Sequence, residues 1–211
     1  MPTTVILASI MAGAVASLLR AIRVEDRTQE VMSKTAASAA FVVLGALRWS
    51  SGDSVGGWLV AGLAFCALGD VLLLGNRTFD IGLVAFLIGH ALYVAGFHAA
   101  LPVGQWSLLV LAPLLVVGGG AARWLWPHLG RRRISVFAYI AVISVMVWGG
   151  VSASTKGNLP WTAAAGALLF YLSDLAVARH RFVQKSFVNR ALGLPIYYLG
   201  QLLLALTIGA G

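Results

Sequence analysis

The sequence predicts an all-α integral membrane protein with eight transmembrane helices. Of the 211 residues, 60% are hydrophobic and only 10% are charged, whereas a soluble domain carries about 25% charged residues. The hydrophobic residues also fall into eight runs of about the 20 residues that a helix needs to cross a bilayer. Such a chain uses hydrocarbon as its main solvent, and it is expected to form a single domain over residues 1–211.

The eight predicted spans cover residues 3–20, 35–50, 55–75, 79–100, 105–126, 134–153, 160–179 and 190–210. Each is predicted to be helical because backbone groups in lipid must pair within their own segment, and the alternation of a β-barrel is absent. All seven tryptophans lie near the ends of these spans, where indole rings settle at the headgroup level. The first run is predicted to be a retained helix and not a cleaved signal peptide, because its arginines follow the apolar stretch.

The positive charges predict the orientation. Thirteen of the fifteen lysines and arginines fall in the first, third, fifth and seventh connections, and two fall elsewhere. Positive charge in short loops stays cytoplasmic, so both termini are expected to face away from the cytoplasm, with the plasma (inner) membrane as the expected location. The net charge of +8 is therefore attributed to topology and anionic lipid, and no nucleic-acid partner is expected.

Two pairs of segments suggest a parallel repeat of four plus four helices. "LAFCALGDVLLL" (63–74) resembles "ALLFYLSDLAVA" (167–178) at an offset of 104, and "GLVAFLIGH" (82–90) resembles "GLPIYYLGQ" (193–201) at an offset of 111. With four spans per unit both copies have the same orientation. The repeat halves would be roughly 1–102 and 103–211, although chance similarity among leucine-rich helices is an alternative.

Polar residues inside the spans mark a candidate site near the cytoplasmic boundary. Asp70 and Asp174 are the only acidic residues within spans and away from the first two residues of a span, and a carboxylate in lipid must be paired, protonated or turned towards a polar cavity. His90 lies at a similar depth, and Lys34 heads the second span. These residues are joined by further candidates for substrate binding: Tyr93, Tyr139, Ser173, Tyr197, Tyr198 and Gln201.

Each candidate also has a structural interpretation. The two aspartates could instead bond across helix interfaces, and His90 could be their buried partner. The tyrosines and Gln201 could join helices, and Ser173 could bond to the carbonyl oxygen four residues earlier. Metal binding is poorly supported, because His90 and His98 are separated by about 12 Å along one helix.

Five segments resemble the YhhN-like family of membrane lysoplasmalogenases: "GDVLLL" (69–74), "FLIGHALY" (86–93), "AYIAVISVMV" (138–147), "GALLFYLSDLAVA" (166–178) and "YYLGQLLLA" (197–205). The family often has Lys-Pro-Leu where this chain has Lys34-Thr35-Ala36. The resemblance implies hydrolysis of the vinyl ether bond of a lysoplasmalogen, with a fatty aldehyde and a glycerophosphocholine or glycerophosphoethanolamine as products. It also implies that Asp70, His90 and Asp174 are the acidic and histidine positions of the site.

The polar residues suit this chemistry. A vinyl ether resists bases but yields to acid, so it requires a proton donor and a nearby negative charge, as in the two-carboxylate logic of glycosidases. We expect Asp174, in apolar surroundings, to be the donor and Asp70 to face it as the charge stabiliser. No metal or organic cofactor is expected, and the partners are a lysophospholipid substrate and membrane lipids. The alternative is a proton-coupled transporter of a small lipid or solute, for which intramembrane Asp and His would also be suitable. The oligomeric state stays open.

Overall fold

A computed structural model describes residues 2–75 and 77–210. Within these residues the chain forms eight long α-helices and no β-strand. The helices are α1 Pro2–Arg23, α2 Arg27–Arg48, α3 Ser54–Leu72, α4 Phe79–Ala100, α5 Leu108–Leu125, α6 Arg133–Thr155, α7 Trp161–Ala178 and α8 Phe187–Thr207. Short 3-10 turns flank α5, and a π-helical turn, Arg179–Val183, extends α7.

Seven of the eight helices are long and apolar enough to cross a membrane, which identifies an integral membrane protein. The exception is α8, which carries Asn189, Arg190, Gln201 and two tyrosines. It nevertheless packs closely against α7 and also contacts α2. Each of the eight predicted spans overlaps one helix, so the all-α prediction is confirmed.

The second predicted span differs most from the structure. The prediction was 35–50, but α2 begins at Arg27, one residue after its N-cap Asp26, whose carboxylate accepts from the Gln29 backbone amide. The polar first turns remain helical because Glu30 bonds to both Arg27 and Arg190. Lys34 therefore lies about two turns inside a helix and not at its head.

Two helix pairs, α3–α4 and α7–α8, are the most closely packed in the bundle. In the first pair, a Cβ on Gly89 would lie 3.2 Å from the Gly62 carbonyl oxygen. In the second, a Cβ on Gly200 would lie 3.1 Å from the Gly166 carbonyl oxygen. Glycine at these positions lets the two backbones of each pair approach directly. In contrast, α5 packs mainly on α6 and leaves much of its surface exposed.

Different contacts hold the connections together at the two ends of the bundle. At one end, three arginines link the first, third, fifth and seventh connections: Arg27 bonds to the Leu74 carbonyl, Arg132 to Asp80, and Arg190 to Glu30. At the opposite end, Arg48 donates to the Ile208 carbonyl oxygen at 2.8 Å and Asn158 donates to that of Ala100 at 3.1 Å. We call the first of these the basic end, because the odd-numbered connections carry nearly all the positive charge.

Candidate functional site

The side chain of Asp70 is buried near the basic end with a complete set of partners. It lies in the last turn of α3, and the residue is only 2% exposed. Lys34 Nζ lies 3.1 Å from Oδ1, and the hydroxyls of Ser38 and Tyr197 each donate to Oδ2 at 2.7 Å. One cation and two donors favour the ionised form of a carboxyl group. Asp70 therefore has the partners of an ion-paired carboxylate.

Helix α2 supplies two of these partners because Lys34 and Ser38 are four residues apart and share one face. The Ser38 hydroxyl also lies 3.2 Å from that of Tyr198, which links α2 to α8. The sequence prediction missed Ser38, whose spacing from Lys34 was the available signal. Lys34 was expected at the membrane boundary, but its pairing with Asp70 draws it into the buried cluster.

Asp174 has a different environment on α7. Its side chain is 17% exposed, against 3% for that of Asp70. His90 lies beside it, with Nε2 3.6 Å from Oδ2, beyond an ordinary hydrogen bond. Among the described residues neither of these two atoms has a hydrogen-bond partner. The Tyr139 hydroxyl lies near the same carboxyl group, and its ring meets that of His90 edge-on at 5.2 Å.

The other side of the His90 ring determines what Nε2 can do. Nδ1 lies 2.6 Å from the Phe86 carbonyl oxygen, which can only accept, so Nδ1 carries the proton in this assignment. In neutral imidazole Nε2 then presents a lone pair towards Asp174. A protonated Asp174 complements that lone pair, whereas an ionised Asp174 beside a neutral His90 would place two acceptors together. The pair can hold one shared proton.

Aromatic rings connect the two carboxyl environments. The Tyr197 ring, whose hydroxyl bonds to Asp70, lies 5.2 Å from the ring of Phe170. Phe170 in turn lies 4.4 Å from the His90 ring. The path of contacts from Asp70 to Asp174 therefore runs through three rings on α8, α7 and α4. The sequence prediction included Tyr197 and His90 but missed Phe170, which has no polar signal.

The remaining predicted residues lie outside these two environments. The Tyr93 hydroxyl donates to Gln201 Oε1 at 2.7 Å, and both side chains are fully buried, so the pair joins α4 to α8. The Ser173 hydroxyl donates to the Phe170 carbonyl oxygen, three residues earlier and not four. The Tyr93–Gln201 contact has the form of the structural interpretation, and Ser173 also bonds to its own helix, but one residue closer than expected.

A lateral groove of about 360 Å³ lies between α2 and α3. It is lined by Thr35, Ser38, Ala39, Val42, Val43, Ala64, Ala67, Leu68 and Val71. Small and branched apolar residues make up most of this lining, and Ser38 is its link to the Asp70 cluster. The Ser38 side chain therefore lies between this apolar groove and the buried carboxyl group of Asp70.

Comparison with known proteins gives several curated relatives. Lysoplasmalogenase TMEM86A of Bos taurus is 31% identical over 157 residues, 71% of this chain and 64% of the relative. Lysoplasmalogenase TMEM86B of Homo sapiens is 33% identical over 152 residues, 71% of this chain and 62% of the relative. Lysoplasmalogenase of Mycobacterium tuberculosis (strain CDC 1551 / Oshkosh) is 33% identical over 154 residues, 67% of this chain and 55% of the relative.

The matched region thus spans less than two thirds of the length of these curated relatives. No solved structure matches the chain significantly. The model of the YhhN family matches residues 29–208, a range that begins in the first turn of α2 and includes every residue of both carboxyl environments. The resemblance in the sequence is confirmed: this chain belongs to the YhhN family.

Proposed function

We propose that this protein is a lysoplasmalogenase, which hydrolyses the vinyl ether bond of a single-chain ether phospholipid. The observation that carries the proposal is the contrast between the surroundings of the two carboxyl groups: Asp174 lies 3.6 Å from Nε2 of His90, which suits a protonated acid, and Asp70 lies beside Lys34, which suits a carboxylate. Acid cleavage of a vinyl ether needs one group of each kind. The three relatives described above bear the name lysoplasmalogenase.

The reaction begins with a proton transfer from Asp174 to the outer alkene carbon. This forms a C–H bond and leaves a cation shared by the inner carbon and the ether oxygen. Water adds to the inner carbon as the Asp174 carboxylate accepts a proton from it, which gives a hemiacetal. Collapse of the hemiacetal breaks the bond between the inner carbon and the ether oxygen, and the hydroxyl proton passes to that departing oxygen. The products are a fatty aldehyde and a glycerophosphocholine or glycerophosphoethanolamine.

His90 and Tyr139 position the proton donor. The Nε2 lone pair of His90 orients the acidic proton of Asp174, and the Tyr139 ring packs against the imidazole. The side chain of Asp174 is also the more exposed of the two carboxyl groups, so it is the one that a substrate can reach. Lys34, Tyr198 and Ser38 act through Asp70 and not on the substrate.

Asp70 supplies the fixed negative charge. Tyr197 donates a hydrogen bond to Asp70, which increases the negative character of the phenol, and the Tyr197 ring lies 5.2 Å from that of Phe170. The faces of aromatic rings also attract cations. The cation formed beside Asp174 is thereby stabilised through Tyr197 and Phe170, without direct contact between the two carboxyl groups.

The proposal includes a topology in which all eight helices cross the plasma membrane as one domain, with the basic end in the cytoplasm. The charge distribution supports that orientation. A 4+4 repeat is supported by matched contacts, because Gly62 and Gly166 differ by the offset of 104 and Gly89 and Gly200 by 111.

The orientation can be tested by labelling. Single cysteines placed in residues 180–189, in a Cys66→Ala background, are expected to resist impermeant thiol reagents in intact cells. Labelling from outside would reverse the orientation.

The function is tested with purified protein in nanodiscs, a lysoplasmalogen substrate and D₂O as solvent. We expect release of an aldehyde that carries one deuterium on the carbon next to the carbonyl, because that carbon receives the proton. The matched control substrate is the saturated alkyl ether analogue, which should be inert. Release of lysolipid fragments without aldehyde, or movement of intact lipid across the bilayer, would contradict the proposal.

A further inference from the structure

We propose that Arg132 and Arg181 bind the phosphodiester of the substrate headgroup above Asp174; this rests on the proposed function. The two side chains come from different connections and converge on one ring. The Arg181 guanidinium lies 3.9 Å from the centroid of Phe79, and that of Arg132 lies 5.8 Å from it. Phe79 is the first residue of α4, at the basic end.

The place where Arg132 and Arg181 meet is connected to the Asp174 environment through three helices, α6, α7 and α4. Arg132 precedes Tyr139 by seven residues and Arg181 follows Asp174 by seven, so each lies about 10 Å along its chain from the site if the rise is helical. Phe79 begins the helix that carries His90. A phosphate bound by these arginines would thus be joined by the short glycerol linker to an ether bond beside Asp174.

The charges at this position match a phosphodiester. Arg132 pairs with Asp80 at 3.0 Å, but the Asp80 side chain is 71% exposed, so water and a competing anion can reach the pair. Arg181 bonds to neither a carboxylate nor a carbonyl among the described residues. Two guanidinium groups and one carboxylate leave one net positive charge, equal and opposite to that of a phosphodiester. Arginine also offers paired donors with the geometry that phosphate oxygens accept.

A second arginine cluster at the basic end provides the contrast. Arg27 and Arg190 both bond to Glu30, which is only 9% exposed, and Arg27 also bonds to the Leu74 carbonyl. These donors are engaged with a buried carboxylate and hold α2, α8 and the third connection together. Arg181 is engaged with an aromatic ring and Arg132 with a carboxylate that is 71% exposed, so a ligand can reach the N–H groups of both.

The test compares Arg132→Gln and Arg181→Gln with Arg131→Gln, which removes the same charge from the same surface. On a lysoplasmalogen we expect each of the first two to raise KM about tenfold and to spare kcat, because a uniform binding contact is lost. Arg131→Gln should behave as the unaltered protein. A KM that is equal in all three variants would overturn the inference.

A second arm uses a 1-alkenylglycerol, which has the vinyl ether but no phosphate. On this substrate the KM of Arg132→Gln and Arg181→Gln should equal that of the unaltered protein. If the arginines instead anchor the protein to anionic bilayer lipid, their effect will persist on the phosphate-free substrate and follow the phosphatidylglycerol content of the nanodisc, which would overturn the inference. Unaltered protein that releases no aldehyde from either substrate would refute the proposed function, a distinct result.

Discussion

Asp70 and Asp174 occupy matching positions in two similar helix pairs, yet their surroundings are opposite. Asp70 is buried, with a lysine and two hydroxyls around it. Asp174 is partly exposed and faces an imidazole nitrogen that carries a lone pair. The difference arises because partners from other helices, α2 and α8 for one and α4 for the other, determine the state of each carboxyl group. Sequence similarity between the two helices says little about that state.

The largest expected effect is a loss of activity without a loss of stability, and it distinguishes Asp174 from Asp70. Asp174→Asn should lower kcat by at least about 100-fold, because it removes a general acid. Its stability should change little, since Asp174 pairs with no cation among the described residues. Aldehyde release and unfolding in SDS-mixed micelles measure the two quantities. A folded Asp174→Asn protein with near-normal kcat would refute the assignment of the donor.

Asp70→Asn should lose both activity and stability. It leaves the Lys34 ammonium buried without its carboxylate, which typically costs about 3–5 kcal/mol. The matched control is Lys34→Met/Asp70→Asn, which removes both charges and should recover much of that stability but not the activity. If Asp70→Asn alone is as stable as the unaltered protein, the ion pair does not hold this part of the bundle together.

His90→Gln should reduce kcat by about tenfold, less than the loss of Asp174 itself. A glutamine amide would donate to Asp174 where the imidazole nitrogen accepts, and a donor favours the ionised carboxylate over the acid. Combined with Asp174→Asn it should cause little further loss, because the two residues act as a unit. Fully additive losses would show that His90 acts independently of Asp174.

Tyr197→Phe should have the smallest effect of the four. It removes one hydrogen bond to Asp70 but leaves Lys34 and Ser38 in place, for a loss of about 1.5–3 kcal/mol in stability. A fall in kcat is also expected, because the phenol that Asp70 polarises packs against Phe170. Thr162→Val is the control: it removes a 2.9 Å hydroxyl bond to another residue of α8, Thr207, from α7, and should lower stability only. Equal kcat in both variants would separate Tyr197 from the reaction.

Most of the fold could be predicted from hydrophobicity alone, because a span of apolar residues has few alternatives in lipid. The fourth predicted span, 79–100, coincides with α4. The start of α2 could not be predicted in this way. Six of the eight residues 27–34 are polar. They are helical because Arg190 and Asp70, more than 35 residues away in the sequence, supply partners for Glu30 and Lys34.

The site was predictable as a set of polar residues but not as a set of contacts. Asp70, Asp174 and His90 stood out because charged or titratable groups are rare in apolar helices. Their pairing depends on how the helices are arranged, which periodicity does not specify. The sequence therefore placed the two aspartates opposite each other, whereas the structure gives each its own partner. Phe170 and Phe79 gave no signal, since an aromatic residue in a membrane helix is ordinary.

The polar character of α8 has a consequence for how the protein enters the membrane. This helix is not among the seven that are apolar enough to span on their own, and helices already inserted supply its partners. Arg190 near its first turn bonds to Glu30 of α2, and Arg48 at the end of α2 donates to the carbonyls of Leu206 and Ile208 at its last turn. Because α2 is synthesised well before α8, its Glu30 and Arg48 side chains are already in place as bonding partners for both ends of α8 when α8 leaves the ribosome. These two partners are the template for α8. We expect α8 to integrate by docking on that template, not by partitioning alone.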